Sequence, residues 1–429
     1  MNTRPIASHL FPDGALLEEI AKDDGTALLL QRPNGDVEIA EGIEYDGSHF
    51  VPWRGNLVET GAVKLAGPPV PYGTVNELIA ELRAFIHSYV QLTDVAEEMS
   101  PWYVLHTWTA DQSRVTPYLR FLDDYGRGKT RALEVIGHLC HLAMFAAGAT
   151  TPSPIFRMIQ MFRGGTLVMD EADSSHSELW TELSKILNQG YVAGWPVIRS
   201  EKIGGRFEPT SYDCYGPKLL ATRGRFDDDA LESRCLTYPM PTLSRRDITL
   251  ILPPSFKQEA LALRSKLLQY RLDKVRAVRD WVPQVYMNGL DPRLSQILEP
   301  MRHSVDDESA AAQLDGFAQR YQQDLIAGRG QSLQARVARA ILGLRNADKP
   351  LTLGNVADEA NRNNEGEDAI TAKKVGAIVR DDLRLDTRKQ KGRYRVLWDQ
   401  RRINELVNYY GLNDDDEEEA PEPTQEELL

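Results

Sequence analysis

The residues best suited to chemistry lie in a glycine-rich segment, DDYGRGKT at positions 123–130. Gly126 and Gly128 permit backbone conformations that other residues avoid, so neighbouring N–H groups can turn towards phosphate oxygens at the start of a following helix. Lys129 would reach the β- and γ-phosphates of ATP, and Thr130 would ligate Mg²⁺. The predicted nucleotide contacts are Tyr125, Gly126, Arg127, Gly128, Lys129, Thr130 and Arg131.

This segment departs from the usual phosphate-loop pattern, G-x-x-x-x-G-K-T, at its first position, where Asp123 replaces glycine. Gly128, Lys129 and Thr130, which would bind the phosphates and the metal, are intact. The alternative is a chance glycine turn in front of a helix. Carboxylates at the end of a neighbouring strand would favour the phosphate loop.

A second segment, TLVMDE at positions 166–171, predicts such a buried strand ending in two carboxylates. Asp170 would complete the Mg²⁺ shell, and Glu171 would orient the attacking water. An ordinary strand that ends at a polar loop is the alternative. DEAD-box RNA helicases also contain Asp-Glu-Ala-Asp, but their interval from the phosphate loop is much longer and their other motifs are absent here. The two segments together predict nucleotide hydrolysis.

Composition sets the class of protein. The chain has 429 residues, enough for about two to four domains, and its 42% hydrophobic and 26% charged residues are ordinary for a soluble globular protein. No apolar run approaches the roughly 20 residues that span a bilayer, and the first ten residues lack the apolar core of a signal peptide. The scattered Cys140, Cys214 and Cys235 argue against a disulfide framework and predict a cytoplasmic protein.

The net charge of −13 argues at first against a nucleic-acid partner. The charge is unevenly distributed, because residues 371–402 hold eleven Lys or Arg against four acids, a local excess of seven positive charges. Residues 414–419 are six consecutive acids. A basic module beside an acidic tail predicts a DNA-binding surface followed by a disordered end.

Local patterns predict four parts in an α/β chain. Turn signals among short apolar runs predict a small β-rich domain over residues 1–75, and alternating strands and helices predict an ATPase core with a mostly parallel sheet over 76–330. Within that core, helices over 255–279 and 291–327 would form a helical lid. A compact unit over 331–411 and a disordered tail over 412–429 complete the chain.

The order of these features resembles the AAA+ ATPases, in particular the minichromosome-maintenance-like helicases of plasmids, phages and integrated elements. The resemblance covers roughly residues 76–411. It implies that the segment 197–209, with Gly204 and Gly205 at its tip, is a β-hairpin that projects into a central pore. Lys202 and Arg206 would then contact the DNA backbone. The alternative is a solvent-exposed hairpin with incidental charges.

The resemblance also implies two residues that complete the nucleotide site. Thr222, at the end of the next core strand, would sense the γ-phosphate, although asparagine is commoner there. Arg234 would be an arginine finger that reaches the nucleotide of a neighbouring subunit, so a ring, expected to be a hexamer, is implied. A structural ion pair is the alternative for Arg234. Arg223 is a second finger candidate, and Arg264 and Arg293 are candidates for a lid arginine.

The basic unit near the end of the chain predicts three helices and a β-hairpin, which is the pattern of a winged helix-turn-helix domain. The resembling helicases also carry such a module. The predicted DNA contacts are Lys373, Lys374, Lys389, Lys391 and Arg393. A winged helix used only for protein contacts is the alternative.

The leading hypothesis is an ATP-driven DNA helicase or translocase of a mobile genetic element, acting as a hexameric ring in DNA replication. The expected partners are ATP, Mg²⁺, DNA, further copies of the chain and other replication proteins, without a membrane. One alternative is an AAA+ switch or loader that remodels a replication protein. Another is a DNA-binding initiator that uses ATP only for assembly.

Overall fold

The structure, a computed structural model, describes residues 3–124, 126–147, 150–170, 178–226, 228–279, 289–305, 307–362, 369–390 and 392–412. The predicted tail beyond Leu412 lies outside these residues. The chain divides into two compact units, Met1–Ala318 and Gln319–Leu429. Each unit is described below by itself.

Short strands build the beginning of the first unit. Strands β2 to β5 form an antiparallel sheet, and β1, β7 and β6 form a second sheet in which β1 and β7 are parallel. The strands are β1 Thr3–Ile6, β2 Ser8–Leu10, β3 Leu16–Lys22, β4 Gly25–Gln31, β5 Val37–Ala40, β6 Ile43–Tyr45 and β7 Ser48–Pro52. The expected β-rich character is present, and the strands begin well before the first apolar run that predicted them.

A buried ionic cluster joins these strands to the rest of the unit. Glu18 on β3 lies 2.7 Å from Arg271 and 3.0 Å from His141, and Arg271 also pairs with Asp111 at 2.8 Å. The Arg271 side chain is fully buried. Because a buried charge is costly unless it is paired and hydrogen-bonded, this cluster fixes the position of β3 against the elements that follow.

A strand and three helices lead into the central sheet. The elements are α1 Asn56–Glu59, β8 Val63–Lys64, α2 Val75–Tyr89 and α3 Asp94–Thr107. Thr74 caps α2 in a capping box with Glu77, which satisfies N–H groups at the start of the helix. Apolar residues at helical spacing on α2, including Leu78, Leu82 and Ile86, are buried.

A six-stranded sheet in the order β15-β9-β14-β11-β10-β8 forms the centre of the first unit. Its strands are parallel except β8, which runs antiparallel to β10. The elements in this part are β9 Tyr118–Leu122, α4 Lys129–Gly137, β10 Ala143–Ala146, α5 Pro152–Met161, β11 Leu167–Met169, α6 Glu178–Gln189, β12 Val197–Ile203, β13 Arg206–Tyr212, β14 Lys218–Thr222, α7 Asp229–Glu232 and β15 Cys235–Pro239. Strands β12 and β13 pair apart from this sheet as an antiparallel hairpin. The predicted mostly parallel sheet is therefore observed.

Helices α8 Phe256–Arg279 and α9 Pro292–His303 follow in this unit, and α10 Glu308–Gly330 begins in it and ends in the second unit. The helical region predicted over 291–327 is observed as two helices, because α9 ends at His303 and Asp307 accepts a hydrogen bond from Ala310 N at 2.8 Å at the start of α10. Among the described residues, none of the helices combines the length and apolar character that crossing a membrane requires.

The described part of the second unit contains the end of α10, three further helices, a hairpin and a final helix. After the end of α10 come α11 Leu333–Asn346, α12 Leu353–Ala360, α13 Ala372–Ala377, β16 Thr387–Gln390, β17 Arg393–Val396 and α14 Gln400–Tyr410. A π-helical turn, Ile378–Asp382, extends α13. Serine or threonine side chains cap α11, α12 and α13 at Ser332, Thr352 and Thr371. A core of buried aliphatic residues, including Val337, Ile341 and Val379, lies between these elements.

Candidate functional site

The described residues of the glycine-rich segment lie between β9 and α4, at the carboxyl ends of the parallel strands. Gly126 and Gly128 have φ angles of 74° and 92°, a region in which the backbone of any residue other than glycine is strained. Gly128 is the N-cap residue of α4. Because it has no side chain to accept hydrogen bonds from the first N–H groups of the helix, these groups are available to an anion. Tyr125 lies outside the described residues.

Lys129 begins α4, and its ammonium group turns back over the loop. It donates hydrogen bonds to the carbonyl oxygen of Asp124 at 2.6 Å and to that of Asp123. The predicted γ-phosphate ligand is therefore held at the mouth of the loop by neutral acceptors. A charged phosphate oxygen is a stronger acceptor than a carbonyl, so a triphosphate can displace these contacts.

Thr130 and Asp170 meet across the edge of the sheet. The hydroxyl of Thr130 donates a hydrogen bond of 2.6 Å to Oδ2 of Asp170, which directly follows β11. Two hard oxygen ligands thus lie side by side at the start of α4. Glu171, the predicted water-orienting residue, lies outside the described residues.

Thr222 ends β14, the strand between those of the phosphate loop and Asp170. It pairs in register with Leu122, the last residue before the loop. Its side chain is fully buried, and within the described part of the chain Oγ1 has no hydrogen-bond partner. A buried hydroxyl without a partner is unfavourable, so its position at the end of the sheet that carries the glycine-rich loop is a functional indication.

We expect Thr222→Val to lower ATP turnover by about 10- to 100-fold while nucleotide affinity and thermal stability stay nearly unchanged. Valine has the size of threonine, and it removes a hydroxyl that makes no hydrogen bond with described residues. Steady-state turnover, nucleotide titration and thermal unfolding would be measured together. Thr222→Ser keeps the hydroxyl and should retain most of the rate. A variant that turns over ATP normally would exclude a sensing role for this hydroxyl.

Arg127 and Arg131, two further predicted nucleotide contacts, both face the segment that follows β15. Arg127 lies 4.0 Å from Asp123 and 3.5 Å from the hydroxyl of Thr242. Arg131 donates to the carbonyl oxygens of Thr249 at 3.3 Å and of Leu250. These contacts pack the segment following β15 against the start of α4.

Arg234 lies at the amino ends of the parallel strands, opposite the end that carries the glycine-rich loop. It directly precedes β15, and its carbonyl oxygen accepts a hydrogen bond from Tyr118 N, at the start of β9. Five residues of β9 separate this point from the phosphate loop, a distance of roughly 15 Å. Arg234 is therefore too far away to reach the glycine-rich loop of its own chain.

The guanidinium of Arg234 is held in a defined place. It donates to Oδ1 of Asn188 at 2.6 Å and stacks 4.2 Å from the ring centroid of Tyr191. The guanidinium of Arg293 lies 4.8 Å from the same ring. Burial opposes the shift, but Arg293 and then Arg234 lower the pKa of the Tyr191 hydroxyl. Two cations thus converge on one aromatic side chain. This arrangement differs from the structural ion pair that was the alternative interpretation of Arg234.

The other arginine candidates are distributed differently. Arg223 directly follows Thr222, so it lies at the same edge as the phosphate loop. Arg264 is buried and donates to the carbonyl oxygens of Leu65 and His138. His138 ends α4 at the far side from the loop, roughly 13 Å along the helix. Arg264 therefore does not reach a nucleotide bound at the loop of its own chain.

The predicted hairpin over 197–209 consists of β12 and β13, with Gly204 and Gly205 at the tip. Lys202 and Arg206 flank this tip and are exposed. Phe207 pairs in register with Lys202, and 74% of its surface is exposed. A basic and aromatic tip suits contact with a nucleic-acid chain, since phosphates bind cations and bases stack on aromatic rings.

A cleft of about 810 Å³ in the second unit collects several of the predicted DNA contacts. Lys373 on α13 and Arg393 on β17 line it, together with Arg380 and Tyr394. Lys374 and Lys389 are exposed on the same two elements, α13 and the hairpin, while Lys391 lies outside the described residues. The hairpin and α13 therefore present one basic surface.

Several residues of the site were not predicted. Arg120 is fully buried in β9, pairs with Glu232 and donates to Thr237 Oγ1 at 3.1 Å, so it holds the segment that leads to Arg234. A charged residue inside the apolar run YLRFL was the signal that could have revealed it. Asn188 and Tyr191 carried no such signal, because their role comes only from contacts made far along the chain.

In the part of the chain that is described, no group of three or more His, Cys, Asp or Glu residues is arranged to hold a metal ion. Mg²⁺ does not need such a group. In proteins that bind nucleotides it is held by one or two protein ligands together with phosphate oxygens of the substrate and water molecules. Thr130 and Asp170 supply oxygens of the right kind at the right edge.

Comparisons with known proteins give similarity in structure only. No protein-family model matches the chain, and no curated protein matches it either. The active helicase Cch of SCCmec type IV aligns at 11% identity over 96% of this chain and 80% of that one, with a TM-score of 0.41. The C-terminal region of NrS-1 in its A-form apo structure aligns at 10% identity over 89% and 96%, with a TM-score of 0.32. A full-length MCM homolog from Methanopyrus kandleri aligns at 13% identity over 75% and 71%, with a TM-score of 0.36.

Proposed function

We propose that the protein is an AAA+ ATPase that works as an ATP-driven DNA helicase or translocase of a mobile genetic element, as a hexameric ring in DNA replication. The observation that carries this proposal is the contact between Thr130 Oγ1 and Asp170 Oδ2, with the ammonium of Lys129 beside it. Two motifs 40 residues apart in sequence meet where the carboxyl ends of parallel strands converge. Ligands bind at such edges in open α/β sheets.

The roles at this edge follow from the side chains. Lys129 would exchange its carbonyl contacts for oxygens of the β- and γ-phosphates, while the N–H groups at the start of α4 bind the same anion. Thr130 and Asp170 would hold Mg²⁺, which would neutralise charge developing on the phosphates. Glu171 would orient the attacking water, and Thr222 would contact it or the γ-phosphate.

The proposed role of Arg234 requires a neighbouring subunit, because Arg234 lies at the amino ends of the strands, away from the loop of its own chain. A guanidinium that cannot reach its own nucleotide can reach that of a neighbour packed edge to edge in a ring. Arg234 would then stabilise the negative charge that develops during phosphoryl transfer. The contacts with Asn188 and Tyr191 would hold the guanidinium ready in the free subunit.

Two surfaces would contact DNA. The tip of the β12–β13 hairpin would place Lys202 and Arg206 on the backbone within the ring. The second unit, as a winged helix domain, would bind duplex DNA through its basic cleft. ATP turnover would move the hairpins along the strand.

Turnover measured with and without DNA tests the proposal. We expect Mg²⁺-dependent ATP hydrolysis that single- or double-stranded DNA stimulates several-fold. Turnover that DNA leaves unchanged would favour a switch that acts on another protein. A protein that binds ATP without hydrolysing it would favour an initiator that uses nucleotide for assembly alone.

We expect Lys373→Ala to weaken duplex binding to a similar degree for all sequences and to reduce the salt dependence of binding by about one counterion. Lys373 lines the basic cleft and is exposed, so it would contact a phosphate. Fluorescence anisotropy over a range of salt concentrations measures both quantities. Lys349→Ala is the matched control, since Lys349 is exposed in the same unit outside the cleft. Equal salt slopes for the two variants would remove Lys373 from the DNA interface.

A further inference from the structure

A second cavity lies in the first unit, away from the phosphate loop. Its volume is about 780 Å³, within the range of small-ligand sites. The turn between β3 and β4, the edge strand β8 and the helix α8 surround it. Trp53, Val58 and Leu261 give it an apolar wall, and Lys64, Lys257 and Arg264 give it a cationic one.

Arg264 is the most informative of these residues. Only 7% of its surface is exposed, and its hydrogen bonds go to carbonyl oxygens, to Leu65 O at 2.7 Å and His138 O at 2.6 Å. None of the described carboxylates forms an ion pair with it. Burial lowers the pKa of its guanidinium to about 10, and no opposing charge raises it. A buried cation without an anion is unfavourable.

Arg271, two turns further along α8, shows what a structural arginine looks like in this fold. It is also buried, but Glu18 lies 2.7 Å away and Asp111 2.8 Å away. These two carboxylates raise the pKa of Arg271 despite its burial. The same helix therefore pairs one buried arginine and leaves the other facing a cavity.

Two lysines increase the positive charge at this cavity. Burial, followed by the nearby Arg264 and Lys257, lowers the pKa of Lys64. Glu134 raises this pKa, but its effect is the smallest of the four. Burial and then Lys64 lower the pKa of His138 to about 3, so this ring is neutral at physiological pH. Lys64, Lys257 and Arg264 therefore repel one another across this cavity.

The acids of the cavity wall do not compensate this charge. Asp24, Glu41 and Glu59 line the cavity and are exposed, and Glu41 lies 3.4 Å from Arg54. Lys64 and Arg264 are more deeply placed than these three residues. The inner wall of the cavity is therefore cationic, while its rim carries both signs of charge.

We propose that this cavity binds a small phosphorylated molecule, whose phosphate pairs with Lys64, Lys257 and Arg264 and whose remaining part packs against Trp53 and Leu261. The phosphate replaces the missing counter-ion of Arg264 and relieves the repulsion among the three cations. The site is separate from the phosphate loop, and it does not depend on ATP hydrolysis.

The test uses two probes, inorganic pyrophosphate and AMP, on full-length protein that carries Lys129→Ala to weaken binding at the phosphate loop. We expect calorimetry to detect one bound molecule of at least one probe. Lys257→Ala, added to this background, should weaken binding about tenfold, the loss expected for one charged hydrogen bond. Lys257 is exposed, so its replacement should leave the fold intact.

Lys349→Ala on the same background is the control and should leave binding unchanged, because Lys349 is an exposed lysine of the other unit. Arg264→Lys keeps the charge but shortens the reach, and it should weaken binding as well. Failure of both probes to bind at millimolar concentration would overturn the proposal. The proposal would also be overturned if the Lys129→Ala protein bound a probe with the same affinity whether or not it also carried Lys257→Ala.

Discussion

Replacing Lys129 with alanine is expected to lower ATP turnover by at least about 100-fold and to abolish measurable nucleotide binding. The ammonium group lies at the mouth of the loop, where its contacts with Asp123 and Asp124 are replaceable by phosphate oxygens. Turnover under saturating ATP and titration with a fluorescent nucleotide measure the two effects.

The control for Lys129→Ala is Lys185→Ala. Lys185 is exposed on α6 and pairs with Glu182 at 2.6 Å, an interaction that contributes little to stability at a surface. Its loss should leave turnover and binding near those of the unchanged protein. Normal turnover by Lys129→Ala would mean that the glycine-rich segment is a turn without a catalytic role.

The second large effect concerns Arg234. We expect Arg234→Ala to lower turnover by about 1,000-fold or more, and Glu171→Gln to retain nucleotide and lose hydrolysis. A mixture of these two inactive variants should recover roughly a quarter of normal turnover, because one in four random interfaces joins an intact site with an intact arginine. Steady-state turnover across mixing ratios measures the recovery.

A second mixture controls for this recovery. Lys129→Ala and Glu171→Gln both damage the phosphate-loop side of the interface, so none of their mixed interfaces is complete and turnover should stay low. Differential affinity tags would establish that mixed assemblies form. An Arg234→Ala and Glu171→Gln mixture that forms but remains inactive would indicate that Arg234 acts structurally, through Asn188 and Tyr191.

Local patterns predicted the parts of the site that depend on neighbours in sequence. The helix that follows the glycine-rich segment and the hairpin with Gly204 and Gly205 at its tip both occur where they were predicted. Each is defined by a glycine turn or by apolar periodicity within about a dozen residues. Thr130 and Asp170 were both predicted to bind Mg²⁺, and the structure brings their side chains into contact.

Contacts between distant segments could not be predicted in this way. Tyr191 lies between Arg234 and Arg293, and nothing in its own neighbourhood indicates that role. Arg264 was a candidate for a lid arginine, and packing of α8 places it instead at a separate cavity. The break after His303 depends on the capping side chain of Asp307, which apolar periodicity does not register.

The most direct test of the account is strand separation measured in parallel with ATP hydrolysis on a forked DNA duplex. We expect the protein to separate the strands only with hydrolysable ATP, and Lys129→Ala to lose both activities together. A correctly assembled ring that hydrolyses ATP at a DNA-stimulated rate but neither separates strands nor moves along them would contradict the account.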